Sequence, residues 1–333
     1  MAVEGLRDAP SIVGHEWAVD LLDRGLATGH LSHAYLLVGP PRIGKTTLAL
    51  HLALTLNCLD AQDRPCGRCI SCRKIQRGVH PDVRVLDEPA SSIKIEQIRE
   101  LQQEMSLTPF EGRWRVSVLC DFQRATLEAA NCLLKTLEEP PPKAVLVLTA
   151  VDLQALLPTI VSRCQVFQLR PLSIAQVRQA LQSRLGLEPS RAELLARLSE
   201  GRVGWAMAAS ADETLLRDRE KYLVALEQAL QQDRAARIHL AQRLARNAET
   251  LPDLFDLWQS WWRDVLLARS GNADALTNVD RRAAALNEAQ HYTLDEIVSC
   301  LKAVQLARQQ VEQNVSPSLA MEVLLLKLPH PRG

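Results

Sequence analysis

Gly39-Pro40-Pro41-Arg42-Ile43-Gly44-Lys45-Thr46 matches G-x-x-x-x-G-K-[ST], the loop that cradles nucleotide phosphates. Its flanks fit that reading. Ala34-Tyr35-Leu36-Leu37-Val38 is a short apolar run of strand character, and Thr47-Leu48-Ala49-Leu50-His51-Leu52-Ala53-Leu54 is a strong helix former. Strand, glycine loop and helix N-terminus together aim backbone N–H groups and partial positive charge at an anion. Lys45 is placed to reach the β- and γ-phosphates and Thr46 to ligate Mg²⁺, with Thr47 following in the first helical turn. The bland alternative is a glycine-rich turn with no ligand. The motif predicts nucleotide binding; it does not predict turnover.

Turnover needs further groups. P-loop ATPases hold Mg²⁺ with an acidic residue at the end of a neighbouring strand. Asp121 follows the apolar run 116–120 and fits, with a helix N-cap as its other reading. In many such proteins a Glu comes next to orient or polarise the attacking water. Here Phe122 follows, which accepts no proton, and Glu128 on the next helix is poorly placed to replace it. Thr149 ends the run 144–148, where its hydroxyl either faces the γ-phosphate or is a solvated strand end. Arg163, in Ser162-Arg163-Cys164, precedes the last strand. It is either a surface arginine or a guanidinium offered in trans to a nucleotide on another subunit.

Cys66-x-x-Cys69-x-x-Cys72, with Cys58 eight residues upstream, gathers four of the eight cysteines. In a reducing compartment such a cluster argues for metal rather than disulfides. Four thiolates make a closed, structural Zn²⁺ site. The segment is rich in turn-forming and polar residues, including Asp60, Pro65 and Gly67, and has little core of its own, so metal would supply its folding energy. An iron–sulfur cluster shares the C-x-x-C-x-x-C run, but its next cysteine is due where Gln76 stands. Unliganded thiols are the remaining alternative.

The chain has 333 residues, room for two or three domains, with 47% apolar residues. Lys+Arg and Asp+Glu are both 39, so no overall basic field draws it to nucleic acid. The stretch Met1–Asp8 lacks a basic-then-apolar signal pattern, and no apolar run is long enough to span a bilayer; a cytosolic protein without membrane partners is expected. Strand-like runs at 34–38, 82–86, 115–121, 144–149 and 165–169 alternate with helical patterns at 11–30, 47–54, 93–105 and 126–137. That alternation implies a mainly parallel sheet covered on both faces. Beyond Leu172 only helical patterns remain: short ones at 173–185, 190–198 and 205–210, then an almost continuous stretch from Glu213 that divides near Gly271-Asn272, at Thr293 and before Pro317. Trp258, Trp261 and Trp262 share helical spacing with Leu254, Leu257 and Val265, which reads as core or subunit packing, with a base-stacking platform as the alternative. We expect an α/β nucleotide domain at 1–169 carrying a zinc module at 58–72, a small helical domain at 170–210 and a helical C-terminal domain at 211–333.

Together these residues resemble the delta-prime family of bacterial DNA polymerase III clamp-loader subunits, within the AAA+ superfamily. The matching stretches are Ile12-Val13-Gly14-His15, His33-Ala34-Tyr35-Leu36, the P-loop, the four cysteines, His80-Pro81-Asp82, Ile93-Lys94-Ile95-Glu96-Gln97-Ile98-Arg99, Leu107-Thr108-Pro109, the run from Asn131 through Leu137-Glu138-Glu139-Pro140-Pro141, and Ser162-Arg163-Cys164. They cover roughly residues 10 to 210; the helical remainder matches by length and by Trp262-Arg263-Asp264. The resemblance implies an AAA+ core, a lid and an all-α collar, with ATP or ADP and Mg²⁺ held by the P-loop, Val13, Asp121 and Thr149. It implies a five-membered ring with gamma/tau and delta subunits that opens a sliding clamp and seats it on primer–template DNA. The gamma/tau motors carry Asp-Glu where this chain has Asp121-Phe122, and a lid arginine where it has Gly204. Both departures favour delta-prime and imply binding with little or no hydrolysis. Arg163 then becomes an arginine finger for a neighbouring gamma/tau subunit, and the chain acts as a stator. An ATP-hydrolysing gamma/tau-type motor is the alternative.

Overall fold

The computed structural model describes residues 12–87, 92–313 and 315–329; Met1–Asp8 lies outside them. The chain begins with α1 (Glu16–Ala27), β1 (Ala34–Val38), α2 (Lys45–Asn57), α3 (Ile70–Gln76), β2 (Val83–Leu86), α4 (Ile95–Ser106), β3 (Arg115–Leu119), α5 (Leu127–Glu138), β4 (Ala144–Ala150), α6 (Pro158–Val161) and β5 (Gln165–Gln168). The strands form one sheet in the order β2-β3-β4-β1-β5, and every pairing is parallel. β1 and β4 lie inside it and are buried at every position, which is why they read as unbroken apolar runs. Alternate residues feed opposite faces. Tyr35, Leu37, Val145 and Val147 join Leu22, Leu48, Leu52 and Leu56 of α1 and α2. Ala34, Leu36, Leu146 and Leu148 join Ile98, Leu101, Leu133 and Leu137 of α4 and α5. Thr126 starts α5 by accepting a hydrogen bond from the Ala129 N–H at 3.2 Å.

Helices follow: α7 (Ile174–Leu185), α8 (Pro189–Leu198), α9 (Val203–Ala211), α10 (Thr214–Gln231), α11 (Arg234–Ala245), α12 (Leu251–Arg269), α13 (Arg282–His291), α14 (Leu294–Glu312) and α15 (Pro317–Lys327). The fold class expected from sequence, a parallel α/β P-loop domain followed by helices, is the one observed. The expected helix breaks at Gly271, Thr293 and Pro317 are present. Two more separate α10, α11 and α12, the first set by Asp233, whose carboxylate accepts the Ala236 N–H at 2.8 Å. Among the described residues no helix is long and apolar enough to cross a membrane.

By packing, the chain divides into two compact units: one runs to Gln176 and includes Gly201–Trp205, the other comprises Val177–Glu200 and the chain from Ala206 onward. In the second unit Trp258 and Trp262 are wholly buried and Trp261 nearly so. Trp258 donates its indole N–H to the Tyr222 carbonyl at 2.9 Å, and Trp262 meets Tyr292 edge-on. The tryptophans are therefore core and not a base-stacking platform. Buried Arg237 donates to the carbonyls of Leu230, Leu325, Leu328 and Pro329, satisfying the C-terminal ends of α10 and α15.

Candidate functional site: the P-loop, Arg163 and the four cysteines

The P-loop joins the C-terminal end of β1 to the N-terminus of α2. Gly39 packs so tightly that a Cβ there would stand 2.6 Å from the Leu169 carbonyl oxygen, and Gly44 caps α2 in the left-handed region at φ 110°. Lys45 is buried, and its Nζ donates to the carbonyls of Gly39 at 2.7 Å and Pro40 at 3.0 Å. Burial lowers its pKa from the ordinary lysine range, opposed by the nearby Asp121 carboxylate. The ammonium is thus held by its own loop, on main-chain acceptors that phosphate oxygens can replace. Arg42 sits at φ 59°, and its carbonyl accepts the N–H of Gly204, in the first turn of α9, at 3.0 Å. Sequence spacing gave no sign of that contact. Ile43 is buried, Pro41 and Arg42 are exposed, and Val13 and Thr47 are half-buried.

Asp121, Thr149 and the P-loop lie at the C-terminal edge of three adjacent strands, β3, β4 and β1, where open α/β sheets hold ligands. Asp121 adopts a left-handed conformation at φ 49°, and its side chain makes no cap hydrogen bond to the following turn. Its N–H donates instead to Thr149 Oγ1 at 2.9 Å. Thr149 is buried, so it is not a solvated strand end: it fixes the main chain that presents the carboxylate. Thr46 Oγ1 lies 3.8 Å from Cys120 Sγ. Burial, then the charges of Asp87 and Asp121, pushes that thiol up to about 12, so Thr46 has a neutral neighbour. Phe122 is 1% exposed, inside the cluster formed by Leu119, Ala129 and Leu133. Glu128 is exposed in the first turn of α5.

Arg163 precedes β5. Gln165 pairs with Tyr35 and Gln168 with Val38, so the arginine stands at the N-terminal edge of the sheet and the P-loop at the C-terminal edge. At about 3.3 Å per residue the gap along the strand is roughly 15 Å, longer than an arginine side chain. Its own P-loop is out of reach. The guanidinium is part-exposed; Nη1 donates to the Thr159 carbonyl at 2.9 Å and Nη2 to Glu138 Oε1 at 2.7 Å.

The sulfurs of Cys58, Cys66, Cys69 and Cys72 all lie within 4.8 Å of one another. A tetrahedral Zn²⁺ with bonds of about 2.3 Å spaces its sulfurs by roughly 3.8 Å, so the donor set fits that ion. Main-chain N–H groups already face the sulfurs: Cys66 N to Cys58 Sγ, Cys69 N to Cys66 Sγ and Cys72 N to Cys69 Sγ, each at 3.4 Å. Burial opposes ionisation of the Cys69 thiol, yet hydrogen bonds from Cys72 and Leu59 hold it down to about 7. The segment carries more core than its composition suggested, since Cys58, Cys72 and Ile75 of α3 join the α2 side of the sheet.

Beside it lies a buried polar cluster that spacing did not reveal. The fully buried Asp82 carboxylate accepts the N–H groups of Phe110 (2.7 Å), Glu111 (2.9 Å) and Gly112 (2.7 Å) and pairs with Arg115 at 3.2 Å. His80 Nδ1 accepts the Asp82 N–H at 3.1 Å, which leaves Nε2 to donate to Ser71 at 3.2 Å in α3. Asn57 closes on Arg113 and Trp114. The His80-Pro81-Asp82 run is thus a scaffold that fastens the cysteine segment to the sheet.

Comparison with known proteins agrees with this architecture. The family model described as DNA polymerase III, delta subunit matches residues 14–173, and the model for the C-terminal part of the delta subunit matches residues 213–330. DNA polymerase III subunit delta' of Bacillus subtilis (strain 168) is 32% identical over 312 residues, 92% of this chain and 94% of that protein. DNA polymerase III subunit tau of Escherichia coli (strain K12) is 38% identical over 196 residues, 57% of this chain but only 30% of that protein. Among solved structures, a DNA polymerase III gamma subunit-related protein of Thermotoga maritima is 19% identical, covering 92% of this chain and 98% of its own, at a TM-score of 0.46. With one relative 32% identical over 92% of this chain and family models matching residues 14–173 and 213–330, the chain belongs to the family of DNA polymerase III delta-prime subunits.

Proposed function

We propose that this chain is a clamp-loader stator: it binds ATP or ADP with Mg²⁺, hydrolyses it little or not at all, and lends Arg163 to the nucleotide of a neighbouring gamma/tau subunit. Phe122 carries the reading. It directly follows the Mg²⁺-ligating candidate Asp121 at an otherwise complete P-loop, and it is sealed in the core, so the position after Asp121 offers no base to an attacking water. The position of Arg163, on the far edge of the sheet from its own P-loop, supports action in trans. A guanidinium there would stabilise the charge that develops on a partner's transferring phosphoryl group. The remaining parts of the proposal are a ring with gamma/tau and delta, the sliding clamp and primer–template DNA reached through that ring, residues 170–210 as a lid and 211–333 as a collar. Cys58, Cys66, Cys69 and Cys72 would hold one structural Zn²⁺, which supplies folding energy to their segment.

The test pairs two measurements. The isolated chain should bind nucleotide and show background ATPase. The assembled loader carrying Arg163→Ala should lose at least tenfold in turnover at the served site, while nucleotide binding by this chain is unchanged. Brisk turnover by the isolated chain that Asp121→Ala abolishes would refute the stator and leave the motor alternative. Full ATPase activity of the Arg163→Ala assembly would refute the finger.

A further inference from the structure

We infer that Glu138 is a positioning residue for Arg163, holding the guanidinium in the orientation in which it meets a partner's phosphate. The inference rests on the reading of Arg163 as a finger. Glu138 Oε1 accepts Nη2 of Arg163 at 2.7 Å, and the Thr159 carbonyl accepts Nη1 at 2.9 Å. The two acceptors come from different elements, the end of α5 and the single turn of α6. Together they fix the plane of the guanidinium and not merely its distance. Arginine has five N–H donors, so these two bonds leave others to point at a phosphate.

Stability does not account for the carboxylate. Glu138 is the last residue of α5, where the helix dipole favours a cation and opposes an anion; Lys135, one turn earlier, is the choice that dipole rewards. The pair is also open to water, with side chains 36% and 52% exposed, so it contributes little to folding. What it does supply is order. A long, solvent-facing arginine otherwise samples many rotamers, and fixing it in advance removes that cost from the step in which ring neighbours dock. The support under Glu138 is itself rigid: Leu133 and Leu137 of the same helix are buried, and Pro140 and Pro141 follow after Glu139.

The test uses the assembled loader and its ATPase. Glu138→Ala should lower kcat about three- to fivefold, the scale of an exposed ion pair, with KM for ATP unchanged. Glu138→Gln keeps an acceptor oxygen for Nη2 and should return kcat to within about twofold of the unmodified loader. In an Arg163→Ala background, Glu138→Ala should have no further effect, because the two act as one unit. Unchanged kcat in Glu138→Ala, a faster rate, or an equal loss with and without Arg163 would each overturn the inference while leaving the finger standing. Unaltered ATPase in Arg163→Ala alone would overturn the finger, and this inference with it.

Discussion

Replacing Gly204 with alanine tests how the P-loop is held. A Cβ at this position would lie 2.6 Å from the Arg42 carbonyl oxygen and 3.3 Å from its carbon. Both atoms are main chain, so no rotamer change relieves the contact; the first turn of α9 or the loop itself must move. The same oxygen accepts the Gly204 N–H at 3.0 Å, and the shift lengthens or breaks that bond. Losing the bond costs about 0.5–1.5 kcal/mol, and overpacking against backbone about 1–3 kcal/mol. Against this, alanine in place of glycine favours a helix by at most about 1 kcal/mol. The balance is a local loss of about 1–3 kcal/mol, carried by the contact between residues 42 and 204. Arg42 already sits in the left-handed region at φ 59°, so the loop gains freedom once the contact opens. Amide hydrogen exchange reads this directly. In Gly204→Ala, segments 39–46 and 201–206 should exchange roughly 5- to 150-fold faster, while β1 and β4 keep their protection. Unchanged or slower exchange there, or a higher melting temperature, would mean that helix propensity outweighs the clash, and the account of the contact would fail.

Three further outcomes follow from the same geometry. Asp82→Asn sets an amide N–H₂ against main-chain N–H donors and should cost about 2–4 kcal/mol, read by chemical denaturation. Burial opposes the Asp82 charge, yet the Phe110, Glu111 and Gly112 N–H groups and Arg115 outweigh it and hold its pKa below the usual carboxylate range. Its stabilisation is therefore complete above about pH 4 and is lost as pH falls through the depressed folded value, so the variant should show a flatter acid melt. Phe122→Glu should not create a motor: it buries a carboxylate in the core, lowers stability by about 3 kcal/mol or more and leaves ATPase at background, and brisk turnover in that variant would refute our account of the site. Metal analysis should find about one Zn²⁺ per chain, falling in Cys72→Ser, with chelation exposing Ile75 and α3 to protease; a fully occupied and protease-resistant variant would refute the site.

How far the molecule can be read from its residues depends on the range of the interaction. β1 and β4 are legible because burial on both faces leaves unbroken apolar runs, and the P-loop because phosphate binding demands glycines and a lysine within eight consecutive residues. The four thiols are legible for the same reason. Thr149 is not, because its partner is the main-chain N–H of Asp121, just past the end of the neighbouring strand, and no side-chain type reports that bond. Asp82 with 110–112, Gly204 with Arg42, and Glu138 with Arg163 are joined only by folding, and each looks like an ordinary polar or small residue in isolation. The helix break at Asp233 was obscured because helix formers flank its cap on both sides.

The least legible feature has the largest consequence. Strand order and parallel pairing put the phosphate loop on one edge of a single sheet and the guanidinium on the other. A two-fold dimer would present the same patch of each chain to its mate. A two-fold contact would pair each chain's phosphate loop with the other's guanidinium twice over, whereas a head-to-tail contact pairs them once per interface and closes into a ring or runs on as a filament. The polarity of one parallel sheet thus keeps Arg163 from its own phosphate loop, and the proposed finger has only another chain's loop to serve.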